Sequence, residues 1–124
     1  MSTTTLYGIA NCDTVKRARA WLTAQGHPHR FHDFKKEGVP ADRLQAWADA
    51  CGLPVLLNRR GTTWRQLDPA AQQQAEDASG ALALMQAQPS VIKRPVVEWP
   101  DGGITVGFDE TQWAQRRVRG KAGG

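Results

Sequence analysis

The sequence predicts an α/β fold built on a mixed, four-stranded sheet. The chain opens with a predicted strand, helix and strand, at residues 4–9, 15–25 and 29–34. After a helical middle, it ends with a hairpin at residues 91–106 and a helix at residues 109–118. A β-α-β start requires a right-handed crossover and a parallel strand pair, whereas a hairpin gives an antiparallel pair. We therefore expect both kinds of pair in one sheet.

The first strand and helix follow from local patterns. Residues 4–9 (TTLYGI) are rich in β-branched and aromatic side chains, as in a short buried strand. Val15, Ala18 and Leu22 recur at helical spacing, and Gly26 marks the end of that helix. These three side chains are the predicted buried face of the helix.

The next elements are a second strand and a second helix. Residues 29–34 alternate weakly, and we expect Phe31 and Phe34 to be buried. Residues 35–38 are a predicted turn before a helix at residues 41–51. That helix carries apolar side chains on one face: Leu44, Trp47, Ala48 and Cys51.

The helices and strands in the second half of the chain are predicted from turn-forming residues and helix-capping residues. The segment NRRGTTWRQL is a predicted polar loop, and residues 69–85 form two predicted helices that meet around Ser79-Gly80. Residues 91–99 are a predicted strand, and the following D-G-G signals a tight turn into residues 104–106. Asp109 is the predicted cap of the last helix, which ends near Val118.

Composition excludes several classes of protein. The 124 residues are 40% apolar and 23% charged, which suits one globular domain. No segment approaches the roughly 20 apolar residues that span a membrane. Two cysteines are too few for a disulfide-stapled domain or a four-cysteine zinc site. The three histidines are close in sequence, but strand geometry places His29 and His32 on opposite faces, so we expect no metal site. We expect a cytoplasmic protein that does not bind a membrane.

The charge of +4 belongs to one end of the chain. Residues 113–124 hold four basic side chains and no acids, and the other residues hold 12 of each sign. We therefore predict one domain at residues 1–118 and a basic, disordered tail at residues 119–124. Because binding to phosphates needs clustered charge on an ordered surface, direct DNA binding is not expected.

Cys12 is the candidate nucleophile. It follows a buried strand at the opening of a helix, where unpaired backbone N–H groups and the helix dipole favour an anion. Such a position lowers a thiol pKa from about 8.5 toward about 3.5–7.5, and the thiolate is the reactive form. The alternative is an inert, buried cysteine. Polar neighbours on both sides favour the reactive thiol.

Cys51 is expected to be a buried structural thiol. It lies on the apolar face of the predicted helix at residues 41–51. Val15 stands three residues after Cys12, so the chain has no C-x-x-C pair. Cys12 must therefore react with an external thiol or with Cys51, and the sequence does not decide between them.

Two cationic segments complete the candidate site. Arg59 and Arg60 lie in the polar loop, and Lys93 and Arg94 interrupt an apolar strand, where charge is costly unless it faces a site or solvent. An arginine fork suits carboxylates and oxyanions, although solvated charges are an equal alternative. Pro95 removes a backbone donor, which indicates either a strand edge or a cis bond.

Four segments of the chain, in order, resemble the ArsC/Spx family and most closely its YffB-like branch: LYGIANCDTVKRARAWL, LLNRRGTTWRQL, IKRPVV and VGFDE. The resemblance spans residues 4–118. It implies a thioredoxin-like fold with a helical insertion at about residues 40–88.

The resemblance also implies residue roles. Cys12 matches the redox nucleophile of the family, Arg60 and Arg94 match anion-binding arginines, and Pro95 matches the cis-proline that faces the thiol. The predicted site for an anion or glutathione consists of Asn11, Arg60, Arg94 and Pro95.

Two departures from the family pattern direct the functional prediction. Arsenate reductases have a further arginine near the position of Thr105–Phe108, where this chain has none. Spx-type regulators usually sense redox state with C-x-x-C and bind RNA polymerase, and Val15 replaces the second cysteine here. What remains resembles the YffB-like proteins, for which a glutathione-dependent thiol reductase activity is the usual proposal.

We therefore expect an oxidoreductase that exchanges thiols and disulfides through Cys12. Glutathione is the expected co-substrate, no cofactor is tightly bound, and the protein is a monomer. Two alternatives remain. One is an arsenate reductase that uses glutathione or glutaredoxin, and the other is a regulator that binds RNA polymerase.

Overall fold

The computed structural model describes the backbone of residues 3–123 and the side chains of residues 3–116. The strands are β1 (Thr4–Gly8), β2 (His29–Asp33), β3 (Val96–Glu98) and β4 (Ile104–Val106). The helices are α1 (Asp13–Ala24), α2 (Phe34–Glu37), α3 (Ala41–Cys51), α4 (Leu53–Leu56), α5 (Thr62–Gln66), α6 (Pro69–Gln74), α7 (Ala78–Ala87) and α8 (Glu110–Gly123), with a 3-10 turn at Pro89–Val91.

The four strands form one sheet in the order β2-β1-β3-β4. Strand β3 is antiparallel to both neighbours, with Val97 opposite Leu6 on one side and Thr105 on the other. The predicted α/β fold with a mixed four-stranded sheet is confirmed. Because β3 comes from the late hairpin and pairs with the first strand, the end of the chain lies beside its beginning in the sheet.

The chain packs as two compact units. One joins Met1–Phe31 to Arg94–Gly124, and the other is His32–Lys93. The core of the first unit contains the predicted inner face of α1 together with strand and aromatic residues: Leu6, Val15, Ala18, Leu22, Val97, Trp99 and Trp113. The helical spacing of Val15, Ala18 and Leu22 thus predicted the buried face correctly.

The His32–Lys93 unit is helical from α2 to α7. Leu44 and Trp47 of α3 are buried as predicted, and the ring centroids of Phe34 and Trp47 lie 6.0 Å apart. Phe34 is buried but begins α2 instead of ending a strand, because Asp33 caps a helical turn by accepting a hydrogen bond from the Lys35 N–H. The predicted turn at residues 35–38 is therefore wrong.

Three further boundaries differ from the prediction. The polar loop contains α5, whose Trp64 carbonyl accepts a hydrogen bond from the Gln72 side chain. Two helices do occupy residues 69–85, but Asp77 caps the Gly80 N–H at 2.6 Å and starts α7 at Ala78. Their junction thus precedes Ser79-Gly80. The third difference is the start of the strand predicted at residues 91–99. Strand β3 begins at Val96, after the proline, and not at Val91.

The hairpin and the last helix are confirmed. The Trp99 N–H donates to the Gly103 carbonyl at 2.8 Å across the turn, and the Asp109 carboxylate accepts from the Gln112 N–H. Helix α8 extends past the predicted end near Val118. The side chains of residues 117–124 lie outside the described residues, and the basic, disordered tail at residues 119–124 stays a prediction. Within the described part of the chain, no helix has the length and apolar character needed to cross a membrane.

Candidate active site

Cys12 lies at the junction between β1 and α1. It is the N-cap residue of α1, with extended backbone angles (φ −139°, ψ 121°), and its carbonyl accepts the Lys16 N–H at 2.9 Å. Its side chain is half-buried. The first turn of α1 therefore directs unpaired N–H groups toward the sulfur, as the sequence predicted.

The environment of Cys12 favours the thiolate. Burial acts to raise the pKa of this thiol, but the N–H groups of Val15 and Thr14 and the Arg94 guanidinium outweigh it, so that the pKa is lowered. As a neutral thiol, the sulfur is a weak acceptor and makes no capping hydrogen bond with the helix. When the thiol ionises, the sulfur becomes a stronger acceptor, and the Val15 and Thr14 N–H groups and Arg94 stabilise it.

Arg94 is the side chain that favours the ionised sulfur. Its guanidinium lowers the pKa of Cys12 as a hydrogen-bond donor to the thiolate and through its charge. The adjoining Pro95 is buried, and its carbonyl accepts the Gly107 N–H at 2.8 Å, which ties this segment to the residue after β4. Of the two explanations for Pro95, the cis bond is the observed one, since the Arg94–Pro95 peptide is cis. The role of Arg94 and Pro95 in binding an anion stays a prediction.

Aromatic side chains pack together in the core of the same unit. Trp113 makes edge-to-face contacts with Trp99, Phe108 and Trp21, at centroid distances of 5.1, 4.8 and 5.8 Å. Cys12 packs against this core. Folding thus brings together three of the five tryptophans, Trp21, Trp99 and Trp113, which lie far apart in the sequence.

The segment that lacks the third arginine has a structural role. Thr105 accepts a hydrogen bond from the Trp99 indole, Gly107 has φ +90°, and Phe108 packs against Trp113. The Arg17 guanidinium carbon lies 6.0 Å from the Phe108 ring centroid. An aromatic side chain with a cation above it therefore occupies this segment.

Asn11 and Arg60 are the remaining predicted site residues. Asn11 is exposed immediately before Cys12. Arg60 is exposed in the His32–Lys93 unit, and its N–H donates to the Asn58 side chain at 3.2 Å. Arg94 thus acts on Cys12 within one unit, and Arg60 belongs to the other unit. The assignment of Asn11 and Arg60 to an anion site stays a prediction.

Cys51 differs from Cys12 in its surroundings. It is the last residue of α3, half-buried, and burial raises the pKa of its thiol. Both cysteines are free thiols. The expectation of a fully buried Cys51 is therefore wrong, because the end of α3 leaves part of the side chain accessible.

The histidines take part in local hydrogen bonds. Thr4 Oγ1 and His27 Nε2 share one at 2.6 Å, and His32 Nε2 lies 2.8 Å from the Gly38 carbonyl. Among the described residues, no group of three or more His, Cys, Asp or Glu side chains is placed to hold a metal ion.

Sequence reasoning missed two features near Cys12. The thiolate donors include the N–H of Val15, a residue singled out only for its apolar side chain and for replacing a cysteine. Gly8, at the end of β1, lies against the Val15 side chain. A glycine followed by a helix start was the available signal, but the close approach depends on how the helix packs against the strand.

Comparisons with known proteins agree on one family. The model of the ArsC family matches residues 7–116. An uncharacterized protein of Haemophilus influenzae is 38% identical over 109 residues, which cover 88% of this chain and 94% of that protein. The global transcriptional regulator Spx of Listeria innocua is 23% identical over 120 residues, covering 93% of this chain and 89% of the regulator.

Solved structures give the same result. A protein described as YFFB (PA3664) matches with a TM-score of 0.84 and 45% identity, over 91% of this chain and 97% of that one. An arsenate reductase (ArsC) related protein from Brucella melitensis matches with a TM-score of 0.71 and 46% identity, over 90% and 92% of the two chains.

Proposed function

This chain belongs to the ArsC family, and from that premise we propose that it is a glutathione-dependent thiol reductase acting through Cys12. The family and its arsenate reductase-like neighbours favour thiol-based reduction. The observation that supports the proposal most is the position of Cys12 at the start of α1, where backbone N–H groups and Arg94 lower the pKa of its thiol. A lowered pKa raises the fraction of Cys12 present as the nucleophilic thiolate, and the reducing cytoplasm is where such a reaction would operate.

The proposed reaction has two exchanges. The Cys12 thiolate attacks one sulfur of a disulfide or glutathionylated substrate, forms a mixed disulfide and expels the other sulfur as a thiolate. Free glutathione then attacks the mixed disulfide and releases the Cys12 thiolate. With a glutathionylated substrate, the mixed disulfide joins Cys12 to glutathione, and the products are the free substrate thiol and glutathione disulfide. With another disulfide, the first pass leaves one half of the substrate bonded to glutathione, and a second pass with a second glutathione releases that half as a thiol and forms glutathione disulfide.

The need for an external thiol follows from the sequence around Cys12. Val15 stands where a C-x-x-C motif has its second cysteine, so no neighbouring thiol can resolve the mixed disulfide. Arg94 and Arg60 are the proposed partners of glutathione carboxylates, because an arginine fork binds a carboxylate through two donors. Asn11 and the backbone beside Pro95 are proposed to bind the peptide part of glutathione.

The test follows glutathione attachment by mass spectrometry. Incubation with glutathione disulfide is expected to add one glutathione to the wild-type protein and to Cys51→Ser. Cys12→Ser is expected to lose this adduct and all glutathione-coupled disulfide reduction. A Cys12→Ser protein that still carries glutathione and turns over through Cys51 would contradict the proposal.

Arsenate reduction is the second candidate. The similarity to the Brucella melitensis protein favours it, and the same Cys12 and Arg94 would serve. The segment at Thr105–Phe108 argues against it, because it supplies no third arginine for a tetrahedral oxyanion. Arsenate-dependent oxidation of NADPH in an assay coupled through glutathione or glutaredoxin separates this candidate from the first.

A regulatory role is favoured by the similarity to Spx. A regulator would act through its surface, and Cys12 would be dispensable. A pull-down of RNA polymerase that is unaffected by Cys12→Ala would support this role and count against the reductase.

A further inference from the structure

Gly8, the last residue of β1, has no room for a side chain. An ideal Cβ at this position would lie 2.7 Å from Cγ2 of Val15 and 3.4 Å from Cγ1. Gly8 is not among the glycines with positive φ, so its backbone conformation would accept another residue. The contact with Val15 is what excludes one.

Val15 cannot yield to a larger neighbour. It is fully buried in the first turn of α1 and packs in the core with Leu6, Leu22 and Val97. A β-branched side chain in a helix has essentially one preferred rotamer, and close-packed neighbours leave no space for another. A methyl group at position 8 therefore displaces the first turn of α1 itself.

The backbone of Val15 also serves the reactive sulfur. Its N–H group is the principal donor that favours the ionised form of Cys12. Hydrogen bonds weaken steeply as distance and angle depart from their optimum. A shift of the first turn by a few tenths of an ångström would therefore alter the stabilisation of the thiolate.

We propose that Gly8 is a positioning residue for the Cys12 thiolate. By lacking a Cβ, it lets α1 approach the end of β1 closely and leaves the first turn where the Val15 N–H favours the ionised sulfur. This proposal rests on the thiolate chemistry proposed above.

The test compares pH profiles of alkylation in a Cys51→Ser background, where Cys12 is the one remaining thiol. Gly8→Ala is expected to slow alkylation at about pH 6 by about three- to tenfold, because the thiolate fraction falls when one hydrogen bond is weakened. The limiting rate at high pH is expected to stay unchanged. A merely structural role would lower the melting temperature without moving the profile.

A second pair of variants tests the contact itself. Without the γ-carbons of Val15, the nearest atom to a Cβ at position 8 is the Cβ of residue 15, at an ordinary contact distance of 3.7 Å. The double variant Gly8→Ala/Val15→Ala is therefore expected to fold and to share the profile of Val15→Ala. This pair decides the question even where Gly8→Ala alone does not fold. Ala81→Val overpacks a buried site of α7 and is the control for lost stability with an unmoved profile.

Two outcomes would overturn the proposal. One is a Gly8→Ala profile identical to that of the background protein. The other is a double variant that does not fold, or whose profile stays shifted from that of Val15→Ala. A background protein with the profile of an ordinary thiol would instead overturn the proposed function together with this role of Gly8.

Discussion

Cys12 and Cys51 are two half-buried thiols at opposite kinds of helix end. Cys12 precedes the first turn of α1, and Cys51 is the last residue of α3. Burial acts to raise the pKa of both. At Cys12, backbone N–H donors and an arginine outweigh burial and lower the pKa, whereas the pKa of Cys51 is raised. Partial burial therefore does not fix the direction in which a thiol pKa shifts, whereas the N–H donors at the start of a helix act to lower it.

The same contrast explains why a cysteine stands at this N-cap. Asp33, Asp68, Asp77 and Asp109 cap their helices with carboxylates that accept backbone N–H groups. Neutral Cys12 makes no such bond. At α1, the unpaired N–H groups remain available to stabilise a thiolate. An aspartate at the same position would accept hydrogen bonds from these groups itself.

The largest expected effect is on alkylation of the two thiols in one molecule. At about pH 7, iodoacetamide is expected to modify Cys12 at least about tenfold faster than Cys51, because the thiolate fraction differs more than the intrinsic nucleophilicity. Peptide mapping by mass spectrometry at successive times gives both rates. Equal rates at neutral pH would remove the contrast. Repeating the measurement in urea is the control, because unfolding should make the two rates similar.

The next effect isolates the contribution of Arg94. Arg94→Ala is expected to raise the pKa of Cys12 and to slow its alkylation at about pH 6 by about three- to tenfold, because the thiolate loses a charged donor. Arg94→Lys keeps the charge but loses the planar fork, and an intermediate rate is expected.

The neighbouring Lys93 offers a matched control for Arg94. Lys93→Ala removes the same charge from an exposed side chain one residue earlier. Its alkylation profile is expected to follow the wild type, because screening by solvent weakens an exposed charge. Identical profiles for Arg94→Ala and Lys93→Ala would mean that Arg94 does not act on the sulfur.

The fold was more predictable from sequence than its boundaries were. The spacing of Val15, Ala18 and Leu22 defines a buried helix face without any tertiary information. Phe34 shows the limit, because an alternating strand pattern continues to it while the Asp33 side chain starts a helical turn there. Side-chain capping at short range thus overrides a weak hydrophobic pattern.

The site was predictable only where it depends on local structure. The position of Cys12 before a helix follows from the strand and caps around it. Arg94, which acts on Cys12, lies 82 positions later in the sequence. The family resemblance implied that Arg94 binds an anion, but it did not predict where the guanidinium lies relative to the thiol. The closeness of Gly8 to Val15 could not be predicted, because it depends on the distance between β1 and α1 and not on either pattern.

The smallest expected effect is the pH dependence of stability, where the two thiols act with opposite sign. Because the pKa of Cys12 is lowered, the unfolded chain binds more protons at this thiol than the folded protein does, between the folded pKa and the unfolded value of about 8.5. The contribution of Cys12 to the free energy of unfolding therefore grows as pH rises through that window. The raised pKa of Cys51 means that its contribution is complete below the unfolded value and is lost as pH rises through the folded pKa. Urea unfolding under reducing conditions from about pH 6 to about pH 10 is expected to show Cys12→Ser without the rise and Cys51→Ser without the alkaline loss, and both effects are expected to be small because solvent screens partly exposed groups. If both variants changed the pH dependence of the free energy of unfolding in the same direction, the pKa values of the two thiols would not shift in opposite directions on folding.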